Sequence, residues 1–201
     1  MKIAITGHSY GIGQSLATIY SQYGHKIIGF SRSNGYNISD PVSRKIIVSE
    51  CHDVDIFFNN AHDWNSEHDF SETKLLTELW ESWQNQHRII ANISSSVTMR
   101  WEQGKDCSLT YRTAKLALEN TCELLWNKST WPQVSVIAPC LTDTPRTQVK
   151  TDNNKADPDE FAKLIYHVLG QTNFRVQILK LALQPQIDST TQLASKAPLP
   201  P

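Results

Sequence analysis

Tyr111 and Lys115 stand four residues apart in Tyr111-Arg112-Thr113-Ala114-Lys115, and upstream of them an apolar run ends in Ser94-Ser95-Ser96. On a helix, residues four apart share one face, so the phenol and the ammonium can point into one cleft. A phenol titrates near about 10 in water, so it handles protons at neutral pH only beside a cation, which Lys115 supplies. A serine at the C-terminal edge of a parallel strand can donate its hydroxyl to a developing oxyanion. Taken singly, the Tyr and Lys read as a solvated helical pair and the serines as a turn. Together they describe a site that exchanges a proton with a substrate oxygen.

A second constellation opens the chain, where the apolar residues 2–6 run into Thr6-Gly7-His8-Ser9-Tyr10-Gly11-Ile12-Gly13. Gly7 permits a tight exit from a strand, Gly11 lets a pyrophosphate approach the backbone, and Gly13 lets the next helix pack closely on the sheet. Three glycines by themselves make only a loop. Here Leu16, Ala17, Ile19 and Tyr20 follow at helical spacing and Gly24 closes the helix, which is the context a dinucleotide-binding turn requires. The next apolar run, residues 26–30, leads into Ser31-Arg32-Ser33. An acid near this strand end grips the ribose 2′-hydroxyl of NAD, whereas an arginine accommodates the 2′-phosphate of NADP. Arg32 between two hydroxyls predicts NADP(H) in preference to NAD.

These residues need a scaffold. Apolar alternation and short apolar runs predict strands at residues 2–6, 26–30, 36–38, 55–59, 88–93, 133–138 and 175–181. Helical spacing predicts helices at residues 11–23, 41–51, 71–86, 109–127 and 158–169, the last capped by Asp157 before Pro158. Such alternation specifies an α/β fold: a doubly wound, Rossmann-type parallel sheet with helices on both faces. Residues 31–35 are too few for a crossover helix. Extended, they span roughly 17 Å, enough to run back beside a short third strand. One domain is expected over residues 1–187, with a polar, proline-rich tail over 188–201 expected to be disordered.

Composition narrows the function classes. The chain has 201 residues, 39% hydrophobic and 19% charged, as an ordinary globular domain does. A net charge of −1 gives no electrostatic footprint for nucleic acid or an anionic membrane. Four cysteines without CxxC spacing, and the lack of a signal-peptide pattern or long apolar span, point to the reducing cytoplasm. His62-Asp63 and His68-Asp69 match no ligand spacing tied to a helix or hairpin, so no metal is expected. Trp80 and Trp83 are expected to pack against the sheet or another subunit.

In this order the motifs resemble those of the short-chain dehydrogenase/reductase family, over roughly residues 1–185. The glycine turn is similar to the family's cofactor loop, and Asn59-Asn60-Ala61 to its Asn-Asn-Ala-Gly segment. Asn92-Ile93-Ser94-Ser95 resembles the strand carrying the catalytic serine, Tyr111-x-x-x-Lys115 the catalytic pair, and Pro139 with Thr144 the Pro-Gly-x-x-x-Thr stretch. The resemblance implies a hydride exchange between NADP(H) and a small-molecule carbonyl or alcohol. Tyr111 would act as the acid, Ser95 (or Ser96) as the hydrogen-bond donor, and Lys115 as holder of the nicotinamide ribose that depresses the tyrosine pKa. It implies cofactor contacts from Gly7, Ser9, Tyr10, Gly11, Ile12 and Gly13, and from Ser31, Arg32, Ser33, Asn37 and Ile38. Asn59, Asn60, Ala61, Tyr111, Lys115, Pro139, Thr142 and Thr144 complete the implied set.

Departures from the family pattern matter too. His62 and Cys140 replace family glycines, and Asn37 stands where an aspartate commonly meets the adenine. The proton-relay asparagine has no evident counterpart, Asn65 being the nearest candidate. The region that closes over the substrate, residues 145–157, is short. An insertion at residues 98–109, with Met99 and Trp101, is either an alternative pocket wall or a surface loop. Family assembly would make the chain a homodimer or homotetramer through the helices at residues 71–86 and 109–127. The alternative to an enzyme is a non-catalytic module that senses NADP(H) on the same fold.

Overall fold

The computed structural model of the chain describes residues 1–64, 70–99, 108–148, 155–170 and 178–179. Strand β1 (Lys2–Thr6) leads into helix α1 (Gly11–Gln22), β2 (Lys26–Phe30), α2 (Pro41–Glu50), β3 (Ile56–Asn59) and α3 (Ser71–Ser82). Then follow β4 (Ile89–Ile93), α4 (Leu109–Trp126), β5 (Gln133–Ile137), α5 (Pro158–Leu169) and β6 (Ile178–Leu179). All pairs are parallel, in the order β2-β1-β3-β4-β5-β6.

The inner strands are buried on both faces, as a parallel sheet covered by helices must be. Side chains alternate between two cores. Ala4, Phe57, Ile90, Val134 and Val136 face α2, α3 and α4 through Ile47, Leu75, Leu79, Trp83, Leu118 and Cys122. Ile3, Ile5, Ile56, Phe58 and Ile93 face α1 and α5 through Leu16, Ile19, Phe161 and Ile165. Trp83 is fully buried in the first core and Trp80 packs against it. Two helices start as the sequence predicts: Asp40 and Asp157 each accept two backbone amides, with Pro41 and Pro158 behind them. Among the described residues no helix is long and apolar enough to cross a membrane.

The expected strand at residues 36–38 does not form, and with it goes the extended run back along β2. A short 3-10 turn, Arg32–Asn34, ends in Gly35 at φ 93°. Tyr36 N then bonds Ser31 O at 2.9 Å and Asn37 N bonds Ser43 Oγ at 2.8 Å, so neither amide is offered to a ladder. Tyr36 packs edge-on to Phe30 and donates its hydroxyl to Glu50. The sheet therefore ends at β2, and residues 55–59 carry its third strand. Of the strand expected at 175–181, the described part is Ile178–Leu179, paired with Val136 and Ile137. The tail over 188–201 lies outside the described residues. Register aligns the strand ends: Thr6 pairs Phe30, Asn59 pairs Asn92, and Ile93 pairs Ile137. The glycine turn, Ser31-Arg32-Ser33, Asn59-Asn60-Ala61, Ser94-Ser95-Ser96 and Pro139 all lie at strand ends on this one edge.

Candidate functional site

At the β1 exit, Thr6 Oγ1 accepts the amides of Asn60 and Ala61 at 2.9 and 3.0 Å, and Asn60 Nδ2 donates to Thr6 O at 2.9 Å. These bonds pin the glycine turn to the end of β3. A Cβ on Gly13 would lie 2.3 Å from Gly7 O, so α1 approaches the strand exit as only glycine allows. One on Gly11, itself at φ +54°, would lie 3.0 Å from Thr144 Cγ2, which brings the loop after β5 over the turn. Helix α1 starts with no side-chain cap and no acid in its first turn. Its N-terminal amides are thus suited to an anion.

A groove of about 510 Å³ runs from this turn. Gly7, Ser9, Tyr10, Gly11 and Ile12 line it together with Asn60, Ala61 and Thr144. Ser31, Arg32, Ser33, Asn37 and Ile38 line it as well. There Ser9 and Ser31 hydroxyls are 2.9 Å apart, Ser9 and Ser33 3.0 Å, and Ser31 and Ser33 2.7 Å. The largely exposed Arg32 reaches Asp63 only at 3.9 Å. Three converging hydroxyls and a loosely held guanidinium suit a phosphate monoester. The volume, the uncapped helix start and the glycine contacts together fit a dinucleotide.

His62, Trp64 and Arg146 also line the groove. The rings of Tyr111 and Trp64 lie 4.4 Å apart, those of Tyr111 and His62 4.9 Å, and Arg146 Cζ is 3.2 Å from the Trp64 centroid. Lys115 Nζ sits 5.6 Å from the Tyr111 ring centroid, as their spacing on α4 predicts. It also donates to Ile93 O at 2.8 Å and to Glu72 Oε1 at 2.5 Å. Of the three serines, Ser94 is buried and donates to Glu119 at 2.5 Å, and Ser96 is buried with its amide on Pro139 O at 2.9 Å. Ser95 alone is half-buried, its Oγ accepting weakly from Val97 N at 3.4 Å.

Six implied contacts do not line the groove, namely Gly13, Asn59, Tyr111, Lys115, Pro139 and Thr142, nor does Ser95; Tyr111 meets it through His62 and Trp64. Asn59 is fully buried, donating to Asn92 and to the Glu72 carbonyl, so its side chain does not reach the groove. Thr142 turns its hydroxyl to Cys140 O at 3.0 Å and is buried against its own loop. Gly13 lies beneath the turn, where it serves helix packing. Asn65, Trp101 and His68-Asp69 lie outside the described residues. Sequence reasoning missed Glu72, Trp64 and Arg146, and read His62 as a departure from a glycine and, with Asp63, as a metal-ligand pair of the wrong spacing. No spacing rule joins these four, because they meet across three separate segments: His62 and Trp64 after β3, Glu72 on α3 and Arg146 after β5.

No family model and no curated protein sequence matches the chain. Solved structures do. A 3-alpha-hydroxysteroid dehydrogenase from Pseudomonas sp. B-0831, complexed with NADH, superposes with a TM-score of 0.71 at 22% identity over 89% of this chain and 93% of that one. An alcohol dehydrogenase from Thermococcus sibiricus, complexed with 5-hydroxy-NADP, gives 0.70 at 18% identity over 92% and 97%. A short-chain dehydrogenase from Burkholderia cenocepacia J2315, in complex with NADP, gives 0.73 at 15% identity over 90% and 88%. The chain has the fold of the short-chain dehydrogenases.

Proposed function

We propose that the chain is an NADP(H)-dependent oxidoreductase of the short-chain dehydrogenase/reductase family, interconverting a small-molecule carbonyl and alcohol. The observation that carries this reading is the Lys115 ammonium 5.6 Å from the Tyr111 ring centroid, on the same strand edge as the glycine turn. Gly7, Gly11, Ile12 and the first amides of α1 hold the pyrophosphate, while Ser9, Ser31, Ser33 and Arg32 hold the 2′-phosphate. A bound nicotinamide supplies the hydride. Tyr111 gives its hydroxyl proton to the carbonyl oxygen, Ser95 hydrogen-bonds that same oxygen, and Lys115 supplies the positive charge that favours the developing anion.

A second reading, a module that binds NADP(H) without turnover, draws on the Trp64 ring, which packs against Tyr111 with centroids 4.4 Å apart and planes tilted by 31°. One experiment separates them. NADPH binding is measured by fluorescence and NADPH oxidation is followed against a panel of aldehydes and ketones, with Tyr111→Phe as control. The enzyme reading expects turnover on at least one carbonyl, lost about a hundredfold or more in Tyr111→Phe at nearly unchanged NADPH affinity. Binding without turnover on any carbonyl supports the sensor.

A further inference from the structure

Beneath Tyr111 the buried charges form a chain that runs beyond the Tyr-Lys pair. Lys115 and Glu72 are 2% and 3% exposed, and Glu72 Oε1 takes the lysine ammonium at 2.5 Å. The other carboxylate oxygen, Oε2, lies 2.8 Å from His62 Nδ1. An ionised carboxylate only accepts, so this contact places a proton on His62 Nδ1. The His62 ring in turn stands edge-on to Tyr111, and Asn59 Nδ2 donates to the Glu72 main-chain carbonyl at 2.9 Å. The Glu72 carboxylate is thus held from α4 and the segment after β3, and its main chain from β3.

Charge explains why such a group is needed. Burial by itself pushes the Lys115 ammonium down. Glu72, Tyr111 and Glu119, the groups that face it from α3 and α4, more than reverse this and leave it above the ordinary lysine value. Glu119 Oε1 already accepts from Ser94 at 2.5 Å and from Thr98 at 2.8 Å, so Glu72 is the carboxylate in contact with Nζ. Removing one partner of a buried pair leaves the other charge without compensation.

We propose that Glu72, braced by His62, is a positioning residue for Tyr111, its carboxylate fixing the Lys115 ammonium beside the Tyr111 ring. The inference rests on the roles given to Tyr111 and Lys115 in the proposed function. In this chain a carboxylate meets the lysine and an imidazole meets that carboxylate.

The test is Glu72→Gln, which keeps an oxygen acceptor for Nζ and removes the charge. The Lys115 side-chain carbon resonance is followed against pH in the free chain, and NADPH affinity and turnover are measured alongside. The Lys115 midpoint is expected to move to lower pH by about one unit or more. Turnover is expected to fall about tenfold or more, with KM and NADPH affinity changed less than about threefold. A Lys115 midpoint that stays in place overturns the proposal, as does a loss of NADPH affinity that matches the loss of turnover. Should Glu72→Gln fail to fold, Glu72→Asp, which withdraws the carboxylate by one methylene, is expected to move the midpoint in the same direction, and an unmoved midpoint overturns the proposal equally. If Tyr111→Phe abolishes turnover while Glu72→Gln changes neither reading, only the role of Glu72 falls. If Tyr111→Phe keeps full turnover, the reaction assignment itself falls.

Discussion

Asn59 Nδ2 donates to Asn92 Oδ1 at 2.9 Å across the β3–β4 pair, both residues fully buried and in register. Asn92 Nδ2 continues to Ser135 O at 3.3 Å on β5. The result is a polar ladder across the middle of the sheet, just behind the strand exits that carry the site. Its end at Asn59 also holds the Glu72 carbonyl, so the ladder ties strand order to the start of α3.

Removing both amides of the ladder is expected to cost less than the two single removals added together. Asn92→Leu leaves the buried Asn59 amide without its strand partner, which lowers the unfolding free energy by about 1–3 kcal/mol. In the double variant Asn59→Leu/Asn92→Leu both partners vanish, so the loss is smaller than the sum of the single losses. Urea unfolding of the four chains, followed by circular dichroism, gives the coupling directly. Strict additivity would show that the amide pair contributes nothing as a pair.

Gly13→Ala tests the close approach of α1 to the β1 exit. The added methyl meets Gly7 O at 2.3 Å and Asn60 Nδ2 at 2.6 Å, and neither can yield, one being backbone and the other bonded to Thr6 O. A cost of about 1–3 kcal/mol is expected. It should appear as a fall of several degrees in Tm together with weakened NADPH binding. Gly24→Asn is the control: Gly24 lies at φ +78° with open space around it, and Asn tolerates that conformation. Equal losses in the two variants would contradict the packing argument.

Cofactor choice is expected to rest on Arg32. Arg32 is largely exposed and its ion pair with the mostly buried Asp63 is long, at 3.9 Å, so the guanidinium is available to a 2′-phosphate. Arg32→Ala is predicted to raise the NADPH Kd by about 10–100-fold, the equivalent of about 1.5–3 kcal/mol, and to leave the NADH Kd nearly unchanged. Calorimetric titration with both cofactors measures the contrast. A parallel loss for both would place Arg32 outside the selectivity site, and an NADH affinity equal to that for NADPH in the unsubstituted chain would remove NADP preference altogether.

What the sequence made legible was whatever rests on local chemistry. The glycine turn, the helix starts at Asp40-Pro41 and Asp157-Pro158, and the doubly buried strands are each written in neighbouring residues. Residues 36–38 misled because Tyr36 and Ile38 alternate like a strand, yet their burial comes from Phe30 and the core beneath α2. Hydropathy does not report that Ser31 and Ser43 have already taken the amides. Glu72 was illegible for a different reason. An acid in the first turn of a helix reads as a complement to the helix dipole, and nothing local links it to a lysine 43 positions away. Spacing revealed the Tyr-Lys pair, while the charge that holds the lysine comes from tertiary packing alone.

Burial of weak acids sets an alkaline limit to stability. Burial pushes the Cys51 thiol up to about 12, with the Glu50 charge adding to it, and also raises the Cys122 thiol and the Tyr20 phenol. In the unfolded chain thiols release their protons near about pH 8.5 and phenols near about pH 10. Above those values the unfolded state binds fewer protons than the folded one, so stability falls as pH rises. The contribution of Cys51 is therefore fully present below about pH 8 and is lost progressively until about pH 12. Lys115, raised as well, adds a loss of the same sign at the upper end. Denaturant melts between about pH 7 and about pH 11 should show stability level at first and then declining, Cys51 alone giving a slope of up to about 1.4 kcal/mol per pH unit. Cys51→Ala lowers stability at every pH through the cavity it leaves, but it should flatten the alkaline slope by about one proton. An alkaline slope identical to that of the unsubstituted chain would mean that the buried Cys51 thiol does not drive the decline.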